Sequence, residues 1–425
     1  MISKILKSEF FKNVATMMTG TAIAQAILLL ATLILSRLYT PADFGILAIF
    51  LSIATVIGTI STGRYELAIM LPKEERDAKN VLLLALFNAV VVSILTLILV
   101  VILKGFIIDY FDSPELDPWL YLIPVYVLAM GVFNSFNYWS TRNKTFRRNA
   151  ASRISKSGTN AAASIGLGVA KVGAGGLIAG YIIGQFVGAI VLAWSAIRNP
   201  GDLRKAYSKK IIKDNARKYS RFLKINTPHA FVDTMQEQVI VYTVICFFSK
   251  TILGSYSFAF RILKAPVGLI GNSMYQVFYQ KASRALEEGQ ALRPMVLKIY
   301  RNLFLIGFPF FLLVFIFAPG IFDFMFGDKY RVAGEIAQII LPWLFLNFLV
   351  MPVTCVAVIL NRQQGAFLIA IADIILKVTA LLIGGLYGDF KLSFLLMSVL
   401  NGALLIFSGG WHYYIAGMKQ VKHYE

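Results

Sequence analysis

From residue 81 to residue 103 the chain reads VLLLALFNAVVVSILTLILVVIL, without one charged side chain. A helix of that length reaches across the roughly 30 Å hydrocarbon core of a bilayer. Comparable apolar runs lie near residues 13–36, 44–70, 119–140, 157–171 and 175–197, and again near 225–248, 254–279, 299–318, 336–360, 365–386 and 391–416. The run at 157–171 is short and rich in alanine and glycine. With 58% of its 425 residues apolar, 15% charged and a mean hydropathy of +0.70, the chain has room for about 12 spans and little else. Most water-soluble enzyme folds are thereby excluded. A membrane barrel would need ten-residue alternating strands, so the spanning elements are expected to be helices and the fold an all-α integral membrane one. Cys246 and Cys355, both in apolar runs, imply no disulfide framework. The first run is too long for a signal peptide and is read as the first membrane helix.

With an even number of spans both termini share a side. Of the 41 Lys and Arg, 30 fall on that side and seven on the other: Arg37, Lys104, Lys171, Lys250, Lys329, Arg331 and Lys391. The positive-inside rule then places both termini in the cytoplasm. The net charge of +19 is therefore a matter of topology. The basic stretch Arg198 to Lys224 is read as a topology determinant and lipid-facing surface, and no nucleic-acid partner is expected. The acidic loop Asp109, Asp112, Glu115 and Asp117 on the opposite side is read as a solvated face and not a metal site.

The longest cytoplasmic loop falls near the midpoint, which suggests a six-helix bundle over 1–198, a basic cytoplasmic linker over 199–221 and a second six-helix bundle over 222–425. A weak repeat supports the division. Leu35-Ser36-Arg37 leads to Gly45 as Phe248-Ser249-Lys250 leads to Gly254, 209 residues later. Six spans separate the copies, so the halves are expected to be related by a parallel pseudo-two-fold repeat, an arrangement that usually places a substrate site between them. Gly176, Gly180, Gly184 and Gly188 recur every fourth residue on the sixth span, and Gly158, Ala162, Gly166 and Ala170 form a similar small stripe on the fifth. The two spans are expected to close as a tight hairpin along these stripes, with a sliding surface as the alternative. Pro266 beside Gly268 is the best candidate for a hinge.

Ionisable residues within spans are costly, on the order of 3 kcal/mol or more at mid-bilayer, and need a compensating environment. Eight occur: Arg64 and Glu66 in the second span, Asp233 and Glu237 in the seventh, Arg261 and Lys264 in the eighth, Asp373 and Lys377 in the eleventh. Asp233 and Glu237 stand four residues apart and share a helical face, where their repulsion calls for a bound proton or a nearby cation. They are candidates for ion coupling, or else members of structural ion pairs. Asp373 and Lys377 have the spacing of an intrahelical salt bridge and are a second coupling candidate. Arg64, Arg261 and Lys264 would give a cavity fixed positive charge suited to a phosphate or pyrophosphate; snorkelling is the alternative for Arg64. Gln25, Asn134, Asn137 and Gln185 could line such a cavity or tie helices together. Enzymatic signatures are not found: Gly58 to Arg64 lacks the lysine and hydroxyl of a P-loop, and no zinc-protease, C-x-x-C or nucleophile-elbow motif occurs. His229, after Pro228, is read as a capping or packing residue. No cofactor, bound metal or catalytic residue is expected.

The segment R-L-Y-T-P-A-D-F-G at Arg37 to Gly45, between two spans, resembles the oligosaccharide flippases of bacterial surface-polysaccharide pathways, the Wzx type. So does Y-S-R-F-L-K-I-N-T-P-H-A at Tyr219 to Ala230, followed by Gly254, Arg261 and Pro266. The wider superfamily includes lipid II flippases and MATE drug exporters with the same two-bundle layout. The resemblance implies a multi-pass protein of the bacterial inner membrane that moves a polyprenyl-diphosphate-linked oligosaccharide to the outer leaflet by alternating access, driven by an ion gradient or the membrane potential. It implies membrane lipids and other polysaccharide-assembly proteins as partners and, by position, Arg64, Arg261 and Lys264 as the diphosphate-holding cations. A MATE-like exporter of cationic drugs and a membrane polysaccharide polymerase or glycosyltransferase are the rival readings. The first would favour an acidic, aromatic cavity, and the second a large catalytic loop or domain.

Overall fold

The computed structural model describes residues 9–198, 200–360 and 362–418. Among them every regular element is helical. Lys4, Lys7, Lys419 and Lys422, four of the 30 basic residues assigned to the side of the termini, lie outside the described residues. The chain forms two compact units divided between Val241 and Tyr242.

The first unit begins with α1 (Glu9–Leu38) and α2 (Pro41–Ile60). The T-P-A-D sequence between them is a helix start. The Thr40 hydroxyl accepts from the Asp43 amide, the Asp43 carboxylate accepts the Thr40 amide at 2.8 Å, and Pro41 fills the first helical position. In the second half, α8 (Lys250–Glu287) has a simpler cap, the Ser249 hydroxyl accepting the Ile252 amide without a reciprocal carboxylate. Thr40 and Ser249 each precede the repeated glycine, Gly45 or Gly254, by five residues, so the weak repeat marks two equivalent helix starts.

The second span was expected to continue to residue 70. Instead α2 stops at Ile60, and 61–74 form turns around a single helical turn, Tyr65–Ala68. The cause is local: Gly63 and Arg64 both adopt positive φ, +61° and +59°, which no α-helix accommodates. Next come α3 (Glu75–Phe111) and α4 (Ile123–Arg142), the latter preceded by a segment, Pro114–Leu120, bent 50° from it. Asp117 in that bend pairs with Lys104 at 2.6 Å, so part of the acidic loop is an ion pair.

Helices α5 (Phe146–Val169) and α6 (Ala174–Arg198) form the expected hairpin, turned at Lys171 and Gly173, both with positive φ. The glycine face of α6 meets α5, but not through the stripe expected on α5. Gly184 lies against the Lys156 carbonyl and Asn160, Gly180 against Ser164 and Gly188 against the Lys156 Cβ, whereas Gly158 and Gly166 face open space. Small residues admit a neighbour, yet hydrogen bonding sets the rotation of α5. Ser152 Oγ donates to the Gly188 carbonyl at 2.7 Å, and the Tyr39 phenol donates to the Ser164 carbonyl at 2.7 Å.

After α6 come two linker helices, Pro200–Ala206 and Lys209–Lys218, a π-helical turn at Phe222–Asn226, and α7 (Thr227–Phe247). The unit boundary falls inside α7, and the second unit, from Tyr242, continues through α8, α9 (Arg293–Phe326), α10 (Arg331–Val350), α11 (Gln363–Leu386) and α12 (Phe390–Ile415). Its buried centre includes Phe258, ringed by Phe322, Phe326 and Tyr330 at centroid distances of 6.4, 5.0 and 4.3 Å. Helix α8 runs through Pro266 without a break.

Twelve long helices are thus seen among the described residues, six before the linker and six after it, the all-α two-times-six layout that the apolar runs imply. By length and composition eight of the described helical segments can cross a membrane, or nine with the bent 114–142 segment. The three long helices that fall short are α5, α7 and α8, whose polarity comes from the charges considered next.

Candidate functional site

The sequence alone assigns residues 141–156 to a loop, yet Arg153 and Lys156 lie inside α5. Helix α5 packs against α1 and α6. The Lys156 Cβ is held by Gly188, and its ammonium sits over the Phe133 ring of α4, 5.1 Å from the centroid. One turn earlier, Arg153 Nη1 donates to Thr21 Oγ1 of α1 at 2.5 Å. Neither cation has a carboxylate partner among the described residues. The sequence explains why: α4, α5 and α6 contain no Asp or Glu, and the sole acid of α1 is its first residue, Glu9. A cation over an aromatic face gains about 1 to 2 kcal/mol, less than the several kcal/mol that an unpaired charge loses on leaving water. The balance favours a site that admits water or an anion. Nearby helices carry further unmet polar groups. Gln185 of α6 is 1% exposed with neither its amide oxygen nor its nitrogen bonded, and Asn137 Oδ1 of α4 lacks a donor.

Arg64 and Glu66 belong to a different environment, the turn region that closes α2. Arg64 Nη1 lies 3.3 Å from Glu66 Oε1, and the buried Glu66 carboxylate also accepts the Thr62 hydroxyl. Arg64 Nε is buried without a partner, so the pair does not exhaust its donors. Arg142 anchors the same region through the Ile69 and Pro72 carbonyls, at 3.0 and 2.6 Å.

In α7, Asp233 and Glu237 are both exposed on the chain. Asp233 is engaged by His229, Nδ1 to Oδ2 at 2.9 Å. The imidazole that the sequence suggested as a cap or packing residue therefore supplies a second protonatable group one helical turn from Asp233.

The second unit organises its cations around stacked rings. Phe394, Tyr256, Phe260 and Trp343 form a column with successive centroid distances of 5.1, 5.6 and 6.0 Å and interplanar angles of 13°, 20° and 9°. Lys264 Nζ lies 5.1 Å from the Phe260 centroid and Lys377 Nζ 5.4 Å from that of Trp343. Lys377 also forms the intrahelical salt bridge with Asp373 that their spacing suggested. Arg261 and Lys264 are half-buried on α8. The structure thus groups Arg261, Lys264, Asp373 and Lys377 in one unit, and Arg64, Glu66, Asp233 and Glu237 in the other. Among the described residues no cluster of three or more His, Cys, Asp or Glu is arranged to hold a metal.

The fold is shared with known membrane transporters. A lipid II flippase, MurJ, in an inward closed conformation aligns with a TM-score of 0.73 at 15% identity, covering 94% of this chain and 89% of that one. The inward-facing form of a multidrug resistance transporter of the MATE family, in the MOP superfamily, aligns at 0.70 and 13% identity over 94% of each chain. A MOP superfamily transporter from Pyrococcus furiosus, described as having a binding pocket of reversed polarity, aligns at 0.55 and 15% identity over 97% of each. No curated protein matches the sequence. The family model for polysaccharide biosynthesis proteins matches residues 34–335, a span holding both quoted motifs together with Arg153, Lys156, Arg261 and Lys264. The chain is a multi-pass membrane protein, and it belongs to the polysaccharide biosynthesis protein family.

Proposed function

We propose that this protein is a non-enzymatic flippase that carries a polyprenyl-diphosphate-linked oligosaccharide from the cytoplasmic to the outer leaflet of the bacterial inner membrane by alternating access, with both termini in the cytoplasm. The family and the likeness to a lipid II flippase support a lipid-linked cargo. The observation that carries the reading is the pair Arg153 and Lys156, two cations on one helix among helices almost free of carboxylates. Such a site attracts a diphosphate and repels a cationic drug, which argues against the MATE-like exporter. Arg64, Arg261 and Lys264 are further candidates for the anionic headgroup. In this reading Lys377 and Asp373 form a strut, while Asp233 and Glu237, with His229 beside the former, are the groups for proton or ion coupling.

The test is export of lipid-linked glycan in cells carrying Arg153→Gln, Lys156→Gln and the double variant. A charge-assisted bond to phosphate contributes on the order of 1.5 to 3 kcal/mol, so each single variant should lose about ten-fold or more in transport rate at limiting substrate. Lys156→Arg should retain most of it. Wild-type surface glycan from the double variant at normal membrane abundance would remove the diphosphate role. Drug resistance conferred by the wild-type protein, without any glycan phenotype on its deletion, would favour the exporter instead.

A further inference from the structure

The linker between the sixth and seventh long helices carries ten Lys and Arg against two Asp from Arg198 to Lys224, and it is firmly seated. Asn80 of α3 is fully buried. Its amide donates to the Ala206 carbonyl at 2.8 Å and its carbonyl accepts the Ser208 amide at 3.0 Å, fixing the joint between the two linker helices. Asn215 donates to the Asp77 carbonyl at 3.3 Å, and the Tyr65 phenol donates to that of Ala216 at 3.2 Å. Ile212, Ala216 and Tyr219 pack into the core around Val81, Leu82 and Ala85. With one side of Lys209–Lys218 held this way, Lys209, Lys213 and Arg217 share another side at i, i+4 and i+8, beside Lys210. All four are exposed, and none forms an ion pair among the described residues.

The height of this surface follows from α3. Its strongly exposed apolar side chains run from Phe87, 64% exposed, to Phe106, 68% exposed, a band about 30 Å tall that matches the hydrocarbon core. Asn80 lies seven residues outside that band, about 10 Å along the helix axis, just beyond a headgroup layer of about 5 to 8 Å that long Lys and Arg side chains can reach. Tyr207, Leu223 and Ile225 are also exposed on the same segment. A nucleic acid or a soluble acidic partner would leave these side chains in water, whereas a membrane interface takes them up.

We propose that the linker is a rigid cationic platform that binds the headgroups of anionic phospholipids in the leaflet beside it, through Lys209, Lys210, Lys213 and Arg217. The platform is assembled before the lipid arrives, so little ordering entropy opposes binding. This inference is independent of the transport proposal.

The experiment uses the full chain reconstituted in mixed bilayers. Spin-labelled phosphatidylglycerol and phosphatidylcholine report relative association with the protein. The wild type should prefer phosphatidylglycerol, and the preference should shrink as salt rises from 0.05 to 0.5 M. A basic residue near the surface contributes about five-fold to association with anionic lipid. After screening and sharing of sites, the quadruple variant Lys209→Gln, Lys210→Gln, Lys213→Gln, Arg217→Gln should lower the preference several-fold. Lys209→Arg with Lys210→Arg and Lys213→Arg should keep it. If the quadruple variant fails to stay monodisperse, the pair Lys209→Gln and Lys213→Gln serves in its place. Undiminished preference in a monodisperse variant overturns the proposal. So does single-stranded RNA binding to the wild type in neutral micelles more tightly than phosphatidylglycerol, which would assign the surface to nucleic acid.

Discussion

Replacing Gly184 by alanine tests whether α5 and α6 meet as described. The added Cβ would fall 2.7 Å from the Lys156 carbonyl oxygen and 2.9 Å from the Asn160 Cβ. Ordinary contact begins near 3.4 Å, so the helices must separate by about 0.7 Å, and a backbone carbonyl within a helix cannot turn aside. Gaps of that size forfeit a quarter to a half of the dispersion attraction along an interface, and overpacking costs about 1 to 3 kcal/mol. Alanine returns about 0.5 to 1 kcal/mol of helix propensity. Gly158→Ala on the facing helix gains the same propensity and meets nothing within 4 Å. The two variants should therefore differ by about 1 to 3 kcal/mol, with Gly158→Ala the more stable. For a unit of this size the gap is on the order of 5 °C in apparent melting temperature. The assay is thermal unfolding in detergent micelles followed by size-exclusion chromatography. Equal melting temperatures for the two variants would refute the rotation of α5 and restore the stripe of Gly158 and Gly166 as the contact face.

The Asp373 and Lys377 pair should behave as a strut. Asp373→Asn leaves an ammonium of 9% side-chain exposure unpaired and is expected to cost about 3 kcal/mol; adding Lys377→Met should recover most of that loss in the same unfolding assay, and failure of the double variant to recover would assign the pair another role. Asn80→Ala removes the two bonds that hold the linker joint, about 1 kcal/mol each. Trypsin should then cleave after Lys209 or Lys210 about ten-fold faster or more while the long helices stay protected, and an unchanged rate would show that the linker is held by other means.

The helices were legible because apolar runs of membrane-spanning length have few other uses. What escaped was set by contacts that a linear scan does not weigh. The end of α2 depends on two consecutive positive-φ residues, of which only Gly63 advertises the possibility. An apolar scan leaves Arg153 and Lys156 in the loop because the run begins at Ser157, yet a signal is present. Asn149, Arg153, Lys156, Asn160 and Ser164 recur every third or fourth residue, the period of one polar helical face. The stripe of Gly158 and Gly166 has the same period and the smaller side chains, but a helix contact is decided by what can bond as well as by what can fit. Asp373 and Lys377 were readable because both partners lie on one helix. The ring column Phe394, Tyr256, Phe260 and Trp343 draws on three helices, and no local pattern announces it.

The polarity of α5 also bears on how the protein is made. A segment holding Arg153, Lys156, Asn149 and Asn160 would be a poor substrate for insertion by itself, whereas α6 is apolar enough to cross and offers a glycine groove whose backbone carbonyl accepts Ser152. The two helices are joined by a four-residue turn, residues 170–173. Biogenesis should then treat them as one hairpin, with α5 entering the bilayer only together with its partner, so a released chain truncated after residue 173 would hold five long helices and integrate four.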